Sequence, residues 1–161
     1  MATFTPAQQK QINRAREVLQ PGEEVVDVTT GMIQVTRMGS STKRNGAILV
    51  TDRRIILYTK KLGGYEMYDH VYGLLTAIDY KKGLAFGRIA LAASGDRTHV
   101  TQVPTQDVER VAKAIRERMA LAGQRGAVSV ADEIRKLGEL MSGGLLTEDE
   151  FAAKKRQLLG L

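Results

Sequence analysis

The stretch "GAILVTDRRIILYTKK", residues 46–61, constrains the fold more than any other part of this 161-residue chain. Two runs rich in β-branched residues flank Asp52-Arg53, a pair suited to a tight turn. Gly46–Val50 and Arg54–Lys60 are therefore predicted to be paired antiparallel strands. The same texture runs from Glu23 to Val103. "EEVVDVTTGMIQVTRM" is dense in β-branched residues, "GYEMYDHVYGLLTAIDY" holds two more short strands, and "KKGLAFGRIALAASGDRTHVTQV" reads as a hairpin turning at Ser94-Gly95-Asp96. About six or seven strands at short, regular spacing predict an antiparallel barrel or sandwich.

Helical signals bracket this region. Thr5 can cap a first helix, with Pro6 at its first position and Gln8 placed for a capping box. Ile12, Ala15, Val18 and Leu19 form its apolar stripe, and Pro21-Gly22 ends it. After Pro104-Thr105, Val108, Val111, Ala112, Ile115, Met119 and Ala122 fall on one face, as expected of a helix that closes a small barrel. The predicted class is α+β. Residues 1–22 form an N-terminal helix, 23–122 an antiparallel barrel or sandwich with its closing helix, and 123–128 a linker. Residues 129–161 form a two-helix hairpin.

In this tail, Ser129 can cap a helix, with Asp132 three residues on. The helix carries Val130, Ile134, Leu137, Leu140 and Met141 on one face, and Gly143-Gly144 stops it. Thr147 and Glu150 form a capping box for the next helix, with Leu146 and Phe151 as the hydrophobic staple. Glu148, Asp149 and Glu150 lie at the positive end of its dipole and Lys154, Lys155 and Arg156 towards the negative end. Leu158 and Leu159 extend the Phe151 face. Two short helices cannot hide both faces from water, so the pair needs a further surface to dock on. The candidate interaction residues are Ile134, Leu137, Leu140, Met141, Leu145, Leu146, Phe151, Leu158 and Leu159.

The net charge of +6 is unevenly placed. Residues 1–122 hold 18 Lys/Arg against 12 Asp/Glu, whereas residues 123–161 hold six of each. The excess gathers in four pairs beside predicted strands: Lys43-Arg44, Arg53-Arg54, Lys60-Lys61 and Lys81-Lys82. These are the candidate anion-binding residues, for a membrane surface or nucleic acid, although cations on loops more often serve solvation and edge protection. Single-stranded nucleic acid would call for aromatic residues interleaved with them; the chain has no tryptophan, and Tyr58 beside Lys60 is a thin signal.

Enzyme signals are missing. The chain has no cysteine, which excludes disulfides, thiolate metal sites and cysteine catalysis. His70 and His99 lack metal-ligand spacing. Gly83 and Gly87 are followed by no helix that could cradle a phosphate. Asp52 beside Arg53 and Arg54 suggests turn chemistry, not acid–base work. The N-terminus lacks the apolar core of a signal peptide, and no apolar run is long enough to span a bilayer. A cytoplasmic, non-enzymatic protein without cofactors is expected.

Two resemblances sharpen these expectations. "ADEIRKLGELMSGGLLTEDEFAAKKRQLL" resembles the short C-terminal domain (SHOCT) family through Ile134, Leu137, Leu140, Gly144, Leu146, Thr147, Asp149, Glu150, Phe151, Lys155, Leu158 and Leu159. That resemblance implies a helical hairpin serving oligomerisation or protein contacts. "LQPGEEV", "GAILVTDRRIILYTK", "YDHVYGLLTAIDY", "GLAFGRIAL" and the helix after Pro104 resemble the bacterial pleckstrin-homology (PH)-like domains, most visibly at Gly46, Thr51, Asp52, Arg54 and Ile55–Tyr58. That resemblance implies a PH-like barrel capped by a helix, used for binding and assembly. Together they lead to the expectation of a homo-oligomer, or a complex with an unidentified protein partner. An anionic surface is the alternative partner.

Overall fold

The computed structural model describes residues 4–37, 40–93 and 96–160. The chain divides into two compact units, Met1–Met119 and Ala120–Leu161.

The first unit opens with α1, Pro6–Arg14, whose Thr5–Gln8 capping box forms as the sequence predicts. Helical hydrogen bonding tightens to a 3-10 turn at Arg16–Val18 before the chain becomes extended at Leu19. Seven strands follow: β1 Val25–Arg37, β2 Ser40–Thr51, β3 Arg54–Lys61, β4 Gly64–Val71, β5 Leu75–Lys81, β6 Phe86–Ala93 and β7 Asp96–Pro104. All pair antiparallel in the order β4-β3-β2-β1-β7-β6-β5. The predicted β2–β3 hairpin is present, its ladder running from Val50↔Ile55 to Ala47↔Tyr58. Of the expected Ser94-Gly95-Asp96 turn, residues 94–95 lie outside the described residues and Asp96 already belongs to β7.

Residues 47–51 of β2 and 54–59 of β3 are buried on both faces, which explains why their apolar runs are continuous and not alternating. Ala47, Leu49, Ile56 and Tyr58 point outward and pack with Val28 against Ala15, with Ile12, Val18 and Leu19 around them. Ile48, Val50, Ile55 and Leu57 alternate onto the opposite face and are fully buried. There Ile89, Val100 and Val103 join the equally buried α2 stripe, Val108, Val111, Ala112 and Ile115. The sheet curls into a barrel, because the His70 Nε2 on end strand β4 reaches Thr98 Oγ1 on β7 at 3.1 Å within the interior. β4 and β7 stand four places apart in a flat sheet. An α+β fold with a PH-like barrel is thus observed.

Helix α2 spans Thr105–Ser142, and α3 spans Glu148–Leu159. Residues 123–128, expected to be a linker, are helical within α2, and the helix expected to start at Ser129 has no separate beginning. Two glycines each cost a helix about 1 kcal/mol. The alanines, Gln124 and Arg125 around them favour helix, so Gly123 and Gly126 are insufficient to stop it.

Candidate interaction surfaces

In the second unit, α2 ends where sequence reasoning placed its stop. Gly144 takes φ 72°, Leu145 N–H donates to Leu140 C=O at 2.9 Å, and Gly144 N–H to Met141 C=O at 3.0 Å. These two bonds satisfy carbonyls a helix end leaves open. Thr147 and Glu150 then form the predicted reciprocal capping box of α3. The two bonds of that box, and the Thr147 backbone bond first, hold the Glu150 carboxyl below the usual carboxylate range. The helices meet at Gly138, where an added methyl group would lie 4.0 Å from the Phe151 ring.

The hairpin is well capped but poorly buried. Ile134, Leu137, Met141, Leu146, Phe151 and Leu158 are only half-buried. Leu140, Leu145 and Leu159 are 43%, 79% and 47% exposed. Among the described residues of this unit, none is buried. The nine sequence-predicted interaction residues thus share one small unit and leave apolar surface in water.

The basic pairs separate. Arg44 Nε and Lys61 Nζ both approach Glu66 Oε2, at 3.2 and 3.1 Å, so the pairs Lys43-Arg44 and Lys60-Lys61 meet at one end of the sheet. The Lys61 ammonium, bonded to it, holds the Glu66 carboxyl below the usual carboxylate range. Arg53-Arg54 stands at the other end of β3, where Arg54 is opposite Val71. Lys82, after β5, pairs with Glu109 of α2 at 3.1 Å. Lys81 is exposed.

Arg54 corrects the expectation most clearly, because it is buried and its charge is already used. Its Nε and Nη2 donate to the two oxygens of Glu23 at 3.0 Å each, Nη1 to Asp69 at 2.7 Å, and Nη2 also to Val18 C=O at 3.0 Å. The Glu23 bonds raise the guanidinium above its usual value. Burial alone would raise the Glu23 carboxyl. Bonds from Arg54, Gln20 N–H and Thr51 outweigh it and hold the group below the usual range. Thr51 Oγ1 accepts from Arg54 N–H at 3.0 Å, and the Tyr72 hydroxyl, pushed up by burial, donates to Thr51 C=O at 2.6 Å. This buried network fixes the β2–β3 turn and already satisfies the Arg54 guanidinium.

A third surface escaped the sequence reading. Asp27 on β1 is buried and paired with Arg110 of α2, which also donates to Asp107 at 2.7 Å. Thr29 Oγ1 donates to Asp107 at 2.7 Å. These groups line a groove of about 740 Å³ between α1, β1 and the start of α2. The available signal was one acid inside a β-branched run, at Asp27, where strands disfavour aspartate.

A family model described as a bacterial PH domain matches residues 19–117. The chain belongs to this family. In this bacterial PH-domain protein a second model, the short C-terminal domain, matches residues 132–159. An uncharacterized protein of Archaeoglobus fulgidus is 27% identical over 181 residues, spanning 89% of this chain and 92% of that protein. Among solved structures, the N-terminal PH domain of Vps36 is 15% identical with a TM-score of 0.49, covering 63% of this chain and 83% of that one. The PH domain of USP37 is 15% identical with a TM-score of 0.47, covering 58% and 96%. A DUF1696 family protein with a pleckstrin-homology domain from Shewanella loihica PV-4 is 12% identical with a TM-score of 0.43, covering 70% and 90%. Among the described residues, no helix is long and apolar enough to cross a membrane, and no group of three or more His, Cys, Asp or Glu could hold a metal ion.

Proposed function

We propose that this bacterial PH-domain protein is a non-enzymatic assembly module in which the short C-terminal hairpin ties the chain to further copies of itself. One observation carries the reading: the hairpin is fully capped, yet its apolar residues find no buried position within their own unit. Leu145 at 79% exposure and Leu159 at 47% are large side chains whose transfer from water is worth about 1.5–3 kcal/mol each when complete. A symmetric association of copies gives both helices that shelter at once.

The test is the solution mass of the whole chain by light scattering, beside Leu145→Asp and Leu159→Asp. Both positions are exposed, so the variants should keep their helicity by circular dichroism. The parent chain is expected above the single-chain mass and both variants at a lower mass. A parent of single-chain mass at high concentration, or variants as large as the parent, would refute the proposal.

A further inference from the structure

The turn between β5 and β6, residues 82–85, shows large apolar side chains to water while its main chain is held in place. Leu84 is fully exposed, and Phe86, the first residue of β6, is 60% exposed. Helix α2 anchors the loop. Thr105 Oγ1 donates to Gly83 C=O, and Thr105 N–H donates to Ala85 C=O at 3.2 Å. Phe86 stands opposite Pro104, and Lys82 pairs with Glu109 at 3.1 Å. A methyl group at Gly83 or Gly87 would strike the carbonyl oxygens of Phe86 and Lys81, so the loop is also folded closely on itself. These anchors keep Leu84 outward.

Behind this tip the charge is one-sided. Lys81 and Arg88 are both exposed and stand directly opposite each other across the β5–β6 ladder. Like charges in that position destabilise a strand pair. Neither has an ion pair among the described residues, and Asp79, two residues further back on the strand face of Lys81, reaches neither of them. The β3–β4 turn offers a contrast. Leu62 is fully exposed there too, but the Lys61 beside it is already paired with Glu66.

We propose that the β5–β6 tip docks the barrel on the interface of a bilayer rich in anionic phospholipid. Leu84 and Phe86 enter the acyl boundary while Lys81 and Arg88 meet the phosphates. Order in depth selects this occupant. A leaflet presents negative headgroups first and hydrocarbon beneath them, and the tip presents apolar side chains first and cations behind. Leu84 is three residues beyond Lys81, a reach of at most about 10 Å. Interfacial segments bury their apolar face about 5–10 Å into that boundary. A nucleic acid would take the cations but has no place for a leucine ahead of them. A protein partner would have to recess the loop in a pocket, whereas a fluid interface receives a convex tip without one. Lipid phosphates between Lys81 and Arg88 relieve their mutual repulsion. Since the loop is set before contact, little ordering is lost on docking. Two side chains and two cations give a weak, reversible attachment, of the kind a single acyl chain provides.

The test sediments the whole chain with vesicles of mixed phosphatidylglycerol and phosphatidylcholine, beside vesicles of phosphatidylcholine alone, at millimolar lipid and low salt. Binding is expected to the anionic vesicles only, weakening as salt screens the cations. Leu84→Ser and Phe86→Ser should each lower the partition coefficient by about tenfold or more. Lys81→Gln and Arg88→Gln should lower it about fivefold each, and Leu62→Ser should leave it unchanged. All five positions are exposed, so melting temperatures should match the parent. Because the chain has no cysteine, Leu84→Cys carries a polarity-sensitive fluorophore at a single position. Its emission should shift to the blue on anionic vesicles, and the same label on Leu62→Cys should not move. No binding to anionic vesicles, parental binding by Leu84→Ser and Phe86→Ser, or a label at position 84 that stays in water overturns the proposal. A loss confined to Leu62→Ser transfers the contact to the β3–β4 turn. A lower solution mass in Leu84→Ser with vesicle binding intact assigns the tip to a second copy, and either result overturns the proposal.

Discussion

Replacing Arg54 with methionine removes the guanidinium from Glu23, whose side chain has no exposure to water. Methionine keeps the volume of the aliphatic stem, so the perturbation is electrostatic and not a cavity. Breaking a buried pair by deleting one partner costs about 3–5 kcal/mol, because the surviving charge is left without compensation. The second partner adds little, since the Asp69 side chain is 42% exposed and screened. For a unit of this size the loss corresponds to a fall in melting temperature on the order of 10–20 °C. The pH dependence gives the sign. Glu23 titrates below its unfolded value in the parent, so its contribution is present above about pH 4.3 and is lost as pH falls through the folded value. In Arg54→Met, burial without the cation pushes the carboxyl upward. The gap between parent and variant should therefore be widest at pH 7 and narrow towards pH 4. Thermal unfolding by circular dichroism at both pH values reads this directly, and Glu23→Gln in the Arg54→Met background should restore part of the loss. A variant melting within about 3 °C of the parent, or a gap identical at the two pH values, would refute the reasoning.

Three further measurements address the barrel and the hairpin. Gly46→Ala would place a methyl 2.5 Å from Tyr58 C=O and 2.7 Å from Ile33 Cδ1, and should cost about 1–3 kcal/mol in chemical denaturation. Gly126→Ala, inside α2 with nothing within 4 Å, should stabilise by about 0.5–1 kcal/mol. Thr147→Ala removes the α3 cap and should cost that helix about 1 kcal/mol, seen as faster amide exchange in α3 with the barrel amides unchanged.

Local chemistry was the legible part of this protein. Both capping boxes, the β2–β3 hairpin and the glycine stop before α3 depend on residues within a few positions of one another, and all appear in the structure. Features set by register were not legible. Arg44 and Lys61 share Glu66 because three strands bring them together, and no spacing in the chain announces that. The burial of Arg54 depends on Glu23, thirty-one residues earlier, meeting the same turn. Glycine misled at 123 and 126, where a weak local penalty met strong helix-forming neighbours. The early end of the β1–β7 ladder coincides with one bulge on β7, a backbone choice that Gln102 does not advertise.

The cover that α1 provides over β2 and β3 has a temporal side. During synthesis α1 emerges before the strands it covers, and the surface that receives Ala15 is complete only once Tyr58 has been added, roughly forty residues later. At about 5–20 residues per second, the helix waits for several seconds with its stripe unclaimed.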